Sequence, residues 1–347
     1  MEIYILCCFI SCFFGYLAKG RLRYFFIFLS LIPPLIVSSL RYDNGADYLM
    51  YEDMFHSIYT YGSYESVKSI EVGFLYLIEL ISILSNNTII YFGIIALVIL
   101  FFYYHGILSI SKSVPLSIFL FFITGTFFDT FNGLRQYIAA SIIFWSFKYI
   151  IKEDIRKYLL SIFLAFLFHY TAIVALPIYW IVRKKYSSKL ILTVILFFML
   201  ANNLIENTFY TLLSMTRYSF YLGSEELVVV PTVSSIIYTS IVGCLGIYFY
   251  RVYNSVLSKR FIILFNLQVI AWITALLSLS IPLASRWQYY FVPVSILFIP
   301  ELIYLSKYRF NKILIISIIF IMYISTLFYG VLYNGWFGAY PYNLINL

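Results

Sequence analysis

Arg41, Asp43 and Asp47 stand within one short string, Arg41-Tyr-Asp43-Asn-Gly45-Ala-Asp47-Tyr48. Asp129, Asn132, Arg135 and Gln136 stand within another, Asp129-Thr-Phe-Asn132-Gly-Leu-Arg135-Gln136. Both strings sit at the edges of membrane-length apolar runs, and His169 lies in the middle of an apolar stretch. An Asp or Arg at the centre of a membrane-spanning helix costs about 2.5–3.5 kcal/mol on translocon-derived scales, so such groups are usually kept because a site needs them. Guanidinium matches phosphate oxygens with paired donors and stays charged at any relevant pH. Arg41, Arg135, Arg217 and Arg286 therefore suggest a phosphate-like anion. A carboxylate or imidazole beside it could take a proton from a hydroxyl. Asp47 and His169 are the candidate bases, with Asp129 or Asn132 to orient the reacting groups.

The elements that position these residues must be membrane helices. Of 347 residues, 63% are hydrophobic and 11% charged, whereas a soluble domain carries about 25% charged residues. Apolar stretches of about 20 residues recur along the chain, and the ~10-residue alternating segments of a membrane β-barrel are absent. The expected fold is an all-α polytopic integral membrane protein, one transmembrane domain over residues 1–347. The net charge of +8 does not indicate nucleic acid, because Lys and Arg cluster in short loops, where they fix topology. Cys7, Cys8, Cys12 and Cys244 fall inside apolar spans and read as small core residues. No His/Cys/carboxylate spacing suggests a metal, and no Walker loop or dinucleotide fingerprint suggests a cofactor. The first apolar run lacks a basic leader and runs into Lys19–Arg23, so it reads as a retained span.

Basic clusters at Lys19–Arg23, Lys148–Lys157, Arg183–Lys189, Arg251–Arg260 and Lys307–Lys312 should face the cytoplasm. About 10 full spans follow, near 2–18, 24–40, 88–110, 114–128, 133–151, 190–208, 231–250, 261–281, 287–305 and 313–333. They leave outer loops near 41–71, 209–230 and 334–347. Residues 158–182 lie between two basic clusters, which one crossing would separate. A re-entrant hairpin turning at His169-Tyr-Thr171 satisfies both, each arm being about 11 residues or roughly 17 Å of helix against a core of about 30 Å. Residues 72–85 read as a short juxtamembrane or re-entrant helix.

This topology gathers Arg41, Asp43, Asp47, Asp129, Asn132, Arg135, Gln136, Arg217 and Arg286 near the outer boundary, with His169 approaching from below. If the second string is helical, Asp129, Asn132 and Gln136 share a face. Gly45 argues for a turn between Asp43 and Asp47. Tyr48, Tyr51, Tyr59, Tyr61 and Tyr64 could offer stacking surfaces for sugar rings, although most such tyrosines form an interfacial belt. His56 and His105 have no partner at ligand spacing and read as structural.

The sequence resembles the EpsG family of Wzy-like polysaccharide polymerases. Arg41-Tyr-Asp-Asn-Gly-Ala-Asp47-Tyr48-Leu-Met-Tyr51 is similar to that family's Arg…Gly-x-Asp-Tyr-x-x-Tyr element, with Ala46 a mild departure. Glu71-Val-Gly73-Phe74, Asn132-Gly-Leu-Arg135-Gln136-Tyr-Ile-Ala139 and Phe168-His169-Tyr170-Thr171-Ala172 follow in the same order. Arg217-Tyr218 and Arg286 are softer matches. The resemblance implies polymerisation of undecaprenyl-diphosphate-linked oligosaccharide repeat units, of O-antigen, capsule or exopolysaccharide type, at the outer face of the bacterial cytoplasmic membrane. It implies a bundle like those of membrane glycosyltransferases and no cofactor. Its partners would be lipid-linked oligosaccharides, membrane lipids, and chain-length regulator and flippase proteins. Arg41, Asp43, Tyr48, Asn132, Arg135, Gln136, Arg217 and Arg286 would then bind diphosphate or sugar, and Asp47, His169 and Asp129 would serve the chemistry. A flippase for the same lipid-linked units, or an O-antigen ligase, are the rival readings; the outward bias of the polar strings favours a one-sided enzyme over transport.

Overall fold

Apolar runs of membrane length must satisfy their own backbone hydrogen bonds, and this chain does so with helices. The computed structural model describes residues 1–62, 70–215, 233–253, 257–281 and 284–345. Among them the elements are helices and helical turns, and the one extended feature is an isolated bridge between Arg41 and Leu344. By contact the chain forms two units, Met1–Leu176 with Ile303–Leu347, and Pro177–Leu302.

The first unit begins with α1 (Glu2–Leu17), α2 (Arg23–Ser39), α3 (Tyr48–Tyr61), α4 (Val72–Leu84) and α5 (Thr88–Ile110). It continues with α6 (Val114–Ile123), α7 (Thr126–Asp129), α8 (Leu134–Ile151) and α9 (Ile155–Phe168). In the second unit follow α10 (Ile178–Ile181), α11 (Ser188–Leu200), α12 (Asn202–Ser214), α13 (Val233–Val252), α14 (Lys259–Leu277) and α15 (Ala284–Phe291). Helix α16 (Ser295–Leu305) ends that unit, and α17 (Arg309–Thr326) belongs to the first.

Six helical segments are long and apolar enough to cross a membrane: Gly20–Ser39, Thr88–Ile110, Val233–Val252, Lys259–Leu277, Ala284–Leu305 and Arg309–Val331. A seventh is gained if α11 and α12, bent by 68° at their junction, count as one span. The chain is a multi-pass helical membrane protein, but the expectation of about 10 full spans is not met among the described residues. The shortfall has local causes. Helix α1 has 16 residues, roughly 24 Å against a core of about 30 Å. The 114–128 stretch stops at Ile123 and turns at Gly125 (φ +86). Helix α8 has 18 residues but opens on Arg135-Gln136 and carries Lys148. The 88–110 crossing stands as α5, and 72–85 is the shorter apolar helix α4.

In the first unit α5 is flanked by α2 and α8, α1 packs on α2 and α6, and α9 packs on α8. Residues 41–62, expected as outer loop, contain α3. Tyr48, Tyr51, Phe55 and Ile58 recur at i, i+3, i+7 and i+10, and all are buried, which is the apolar stripe of an amphipathic helix. Two ring stacks seat it on α5, Tyr48 on Phe92 at 4.4 Å and Phe55 on Tyr91 at 4.5 Å. Helix α4 packs on α3, α5 and α9. Helix α9 stops at His169, whose backbone is extended (φ −158, ψ 118). The chain then winds as a 3-10 turn over Tyr170–Ala175 and doubles back, so that the Tyr158 hydroxyl donates to the Ala175 carbonyl at 2.6 Å.

Within the second unit α13 packs on α14, and Arg260 pairs with the buried Glu301 at 3.0 Å. The Asn266 side chain donates to the Val182 and Lys184 carbonyls, both at 2.8 Å, tying α14 to the segment after α10.

Candidate active site

Three residues far apart in sequence meet at one buried carboxylate. Glu71 precedes the first turn of α4, Arg135 is the second residue of α8, and His169 occupies the break after α9. Arg135 donates to Glu71 Oε2 at 2.6 Å, and His169 Nδ1 lies 2.7 Å from Glu71 Oε1. The Glu71 side chain is 4% exposed, His169 13% and Arg135 25%.

The backbone holds each member in place. The His169 N–H still bonds the Ala165 carbonyl at 3.0 Å, while its own carbonyl accepts from Ala172 at 3.0 Å. His169 therefore joins two helical segments and has little freedom. Gly73 brings α4 against α9, because a Cβ there would lie 2.8 Å from the Leu167 carbonyl oxygen. Only a residue without a side chain permits that approach.

Burial pushes the Glu71 carboxyl upward, but the hydrogen bond from His169 and the charge of Arg135 outweigh it and leave the group below its ordinary range. An ionised carboxylate only accepts hydrogen bonds, so the His169 proton sits on Nδ1, facing Glu71. In the neutral ring Nε2 then carries the lone pair. That atom is buried and has no hydrogen-bond partner among the described residues. The Tyr51 hydroxyl lies beside Arg135 and hydrogen-bonds with it.

The other expected site residues are placed differently. Arg41 is buried at 2% exposure and donates from one nitrogen to the Asn44 and Phe131 carbonyls at 3.0 and 2.9 Å. Its guanidinium also lies over the rings of Phe131 and Phe92, at 4.5 and 5.0 Å. Burial lowers it to about 10, so it stays charged, but it is enclosed by its own chain. That geometry makes Arg41 a clamp for the 41–47 segment. Tyr48 has no exposed surface and cannot stack on a sugar. Asp47 accepts from the Gly133 N–H at 2.8 Å, fixing the start of α8. Asp43 is exposed at a left-handed turn (φ +49).

The Asp129–Gln136 string is not one helix. Helix α7 ends at Asp129, Gly133 adopts φ +49, and α8 begins at Leu134, so Asp129, Asn132 and Gln136 do not share a helical face. Asn132 accepts from the Ala46 N–H at 2.6 Å and donates to the Phe337 carbonyl at 3.0 Å. Gln136 is buried within α8. Burial raises Asp129 to about 8, offset in part by the Tyr137 hydroxyl. Burial thus favours the protonated form of Asp129, which can donate a hydrogen bond. Arg286 is exposed on α15 in the second unit. Arg217, with Tyr64 and Tyr218, lies outside the described residues. His56 bonds Thr88 at 3.1 Å, and His105 packs against Trp145.

Glu71 is the residue that the sequence reading did not single out. It stands among several acids of the 41–71 stretch, and its signal was the Glu71-Val-Gly73-Phe74 string at the head of an apolar run.

Fold and site together define a multi-pass helical membrane protein that holds a carboxylate, an imidazole and a guanidinium in one buried cluster. The family model of EpsG matches residues 22–344, and the chain belongs to the EpsG family. No curated protein and no solved structure matches it.

Proposed function

We propose that this chain polymerises oligosaccharide repeat units carried on undecaprenyl diphosphate, at the outer face of the bacterial cytoplasmic membrane. The growing glycan is transferred from its lipid diphosphate to a hydroxyl of the incoming lipid-linked unit. The observation that carries this reading is the pairing of Arg135 and His169 on one carboxylate. The reaction needs a cation for the departing diphosphate and an acceptor for the hydroxyl proton, close enough to serve one substrate pair. Arg135 is the cluster member with the most exposed side chain, suited to a diphosphate headgroup.

The direction of the helices supports an outward site. Helix α2 has Arg23 at one end and the 41–47 segment at the other; α8 runs from Arg135 to Lys148 and Lys152. Each is roughly 25 Å long, so the basic ends and the cluster stand nearly a bilayer core apart. Helix α9 leaves the basic Lys152–Lys157 segment and reaches His169 after 14 residues, roughly 21 Å, which favours a hairpin tip below the surface.

The test is reconstitution into vesicles with lipid-linked repeat units on the leaflet that faces the cluster. Longer glycan products from the wild type, with Arg135→Ala lowering the rate about 100-fold or more, are the expected result. Single units that only cross the bilayer would establish a transporter and overturn the reading.

A further inference from the structure

We infer that Nε2 of His169 is the base of the transfer and that Glu71 is the positioning residue that aims it, an inference that rests on the polymerase reading. Five observations converge on this assignment. The 2.7 Å contact with Glu71 fixes Nδ1 and hence the ring orientation. The opposite nitrogen is buried and has no hydrogen-bond partner among the described residues, which leaves its lone pair for an acceptor hydroxyl. The rival carboxylate, Asp47, is engaged by the Gly133 N–H. Glu71 also binds Arg135 through its other oxygen, so one carboxylate sets the spacing between base and cation. Gly73 and Leu167 lock the helices that carry Glu71 and His169 backbone to backbone.

The acceptor hydroxyl gives its proton to Nε2 while its oxygen bonds to the anomeric carbon of the growing glycan. The bond from that carbon to the diphosphate oxygen breaks, and its electron pair leaves with the lipid diphosphate beside Arg135. The imidazolium faces Glu71 through Nδ1 and later releases the Nε2 proton to water.

Among the described residues, the charged and titratable groups gathered at His169 are Glu71, which precedes α4, and Arg135 of α8, with Tyr51 of α3 beside Arg135. The experiment measures kcat and KM against pH for the reconstituted full chain supplied with lipid-linked repeat units, as wild type, Glu71→Gln, His169→Gln and the double variant. Glu71→Gln should lower kcat about 100-fold, leave KM within about threefold, and keep the ascending limb of the profile that the His169 base supplies. His169→Gln should abolish that limb, and the double variant should fall no further than His169→Gln alone. Independent multiplicative losses, a Glu71→Gln profile that lacks the limb, or a rise in KM with kcat intact would overturn the inference. Should Glu71→Gln not accumulate in the membrane, His169→Gln carries the test: lost kcat with no limb supports it, and retained kcat overturns it. A wild type that elongates glycans while both variants match it sinks only this inference; a wild type that makes no polymer removes the polymerase reading and this inference with it.

Discussion

Gly73 and Leu167 touch through their backbones: a Cβ on the glycine would lie 2.8 Å from the leucine carbonyl oxygen. Each stands two positions from a cluster residue, Glu71 on one side and His169 on the other. Gly73→Ala must therefore push α4 off α9 and open the Glu71–His169 contact. A methyl forced into packed backbone costs about 1–3 kcal/mol, and a displacement of 1 Å at a site can cost about 100-fold in rate. Thermal unfolding and transfer rate should both fall, whereas Val72→Ala, at a side chain 51% exposed, should change neither. A Gly73→Ala protein with wild-type rate would show that the cluster tolerates the shift.

Arg41 separates two roles cleanly. Arg41→Lys removes the nitrogen that reaches both the Asn44 and Phe131 carbonyls and leaves buried acceptors unsatisfied, at about 1–3 kcal/mol. Tm should drop, while KM for lipid-linked substrate in the surviving protein stays within about threefold. A tenfold rise in KM at unchanged Tm would restore Arg41 as a substrate ligand.

Asn44 fastens residues 41–47 to the 337–345 segment with three bonds, donating to Gly338 and Pro341 and accepting from Asn343. Asn44→Ala should loosen that segment, with hydrogen exchange at Asn343 and Gly45 rising by tenfold or more, equivalent to about 1.4 kcal/mol. Equal exchange in both proteins would show that the neighbouring backbone bonds suffice.

Glu71 and Asp129 act on stability with opposite signs. The Glu71 carboxyl is depressed in the folded chain, so its contribution is present above its ordinary value of about 4.3 and is lost as acid protonates it. Asp129 is raised to about 8, so its contribution is complete below about pH 3.9 and is lost as pH rises through 8. Asp129→Asn should raise Tm at pH 8.5 relative to wild type and change it little at pH 4. Glu71→Gln should flatten the acid side of the Tm profile. A variant profile parallel to wild type across this range would contradict the corresponding assignment.

Arg135 and His169 were legible in the sequence because polar groups inside apolar runs are conspicuous, and the His169 break agrees with the need to reconcile two basic clusters. Glu71 was not, since nothing local separates it from Glu52 or Asp53; its distinction is two partners 64 and 98 positions away. The burial of Arg41 and Tyr48 was hidden for the same reason. Their burial depends on Phe92, Phe131 and the 337–345 segment, which no pattern within the 41–48 string reveals. Asn132-Gly133 is an ordinary turn signal that agrees with spans drawn separately at 114–128 and 133–151, but it breaks the helix on which a shared face for Asp129, Asn132 and Gln136 depended. The span count erred where helices break at Gly125 and after Leu200, positions that hydropathy averages over.

Residues 40–45 complete their bonding only when Asn343 and Ile345 arrive, through Tyr42 to Asn343 and Ile345 to Leu40. During translation this early strap must wait, its backbone groups open to water, until the segments that follow it have been made. A ribosome halted at residue 330 would leave the apolar helices inserted and the cluster's supporting loops unlatched. Latching of these loops is thus a late event of folding, which follows the emergence of Asn343 and Ile345.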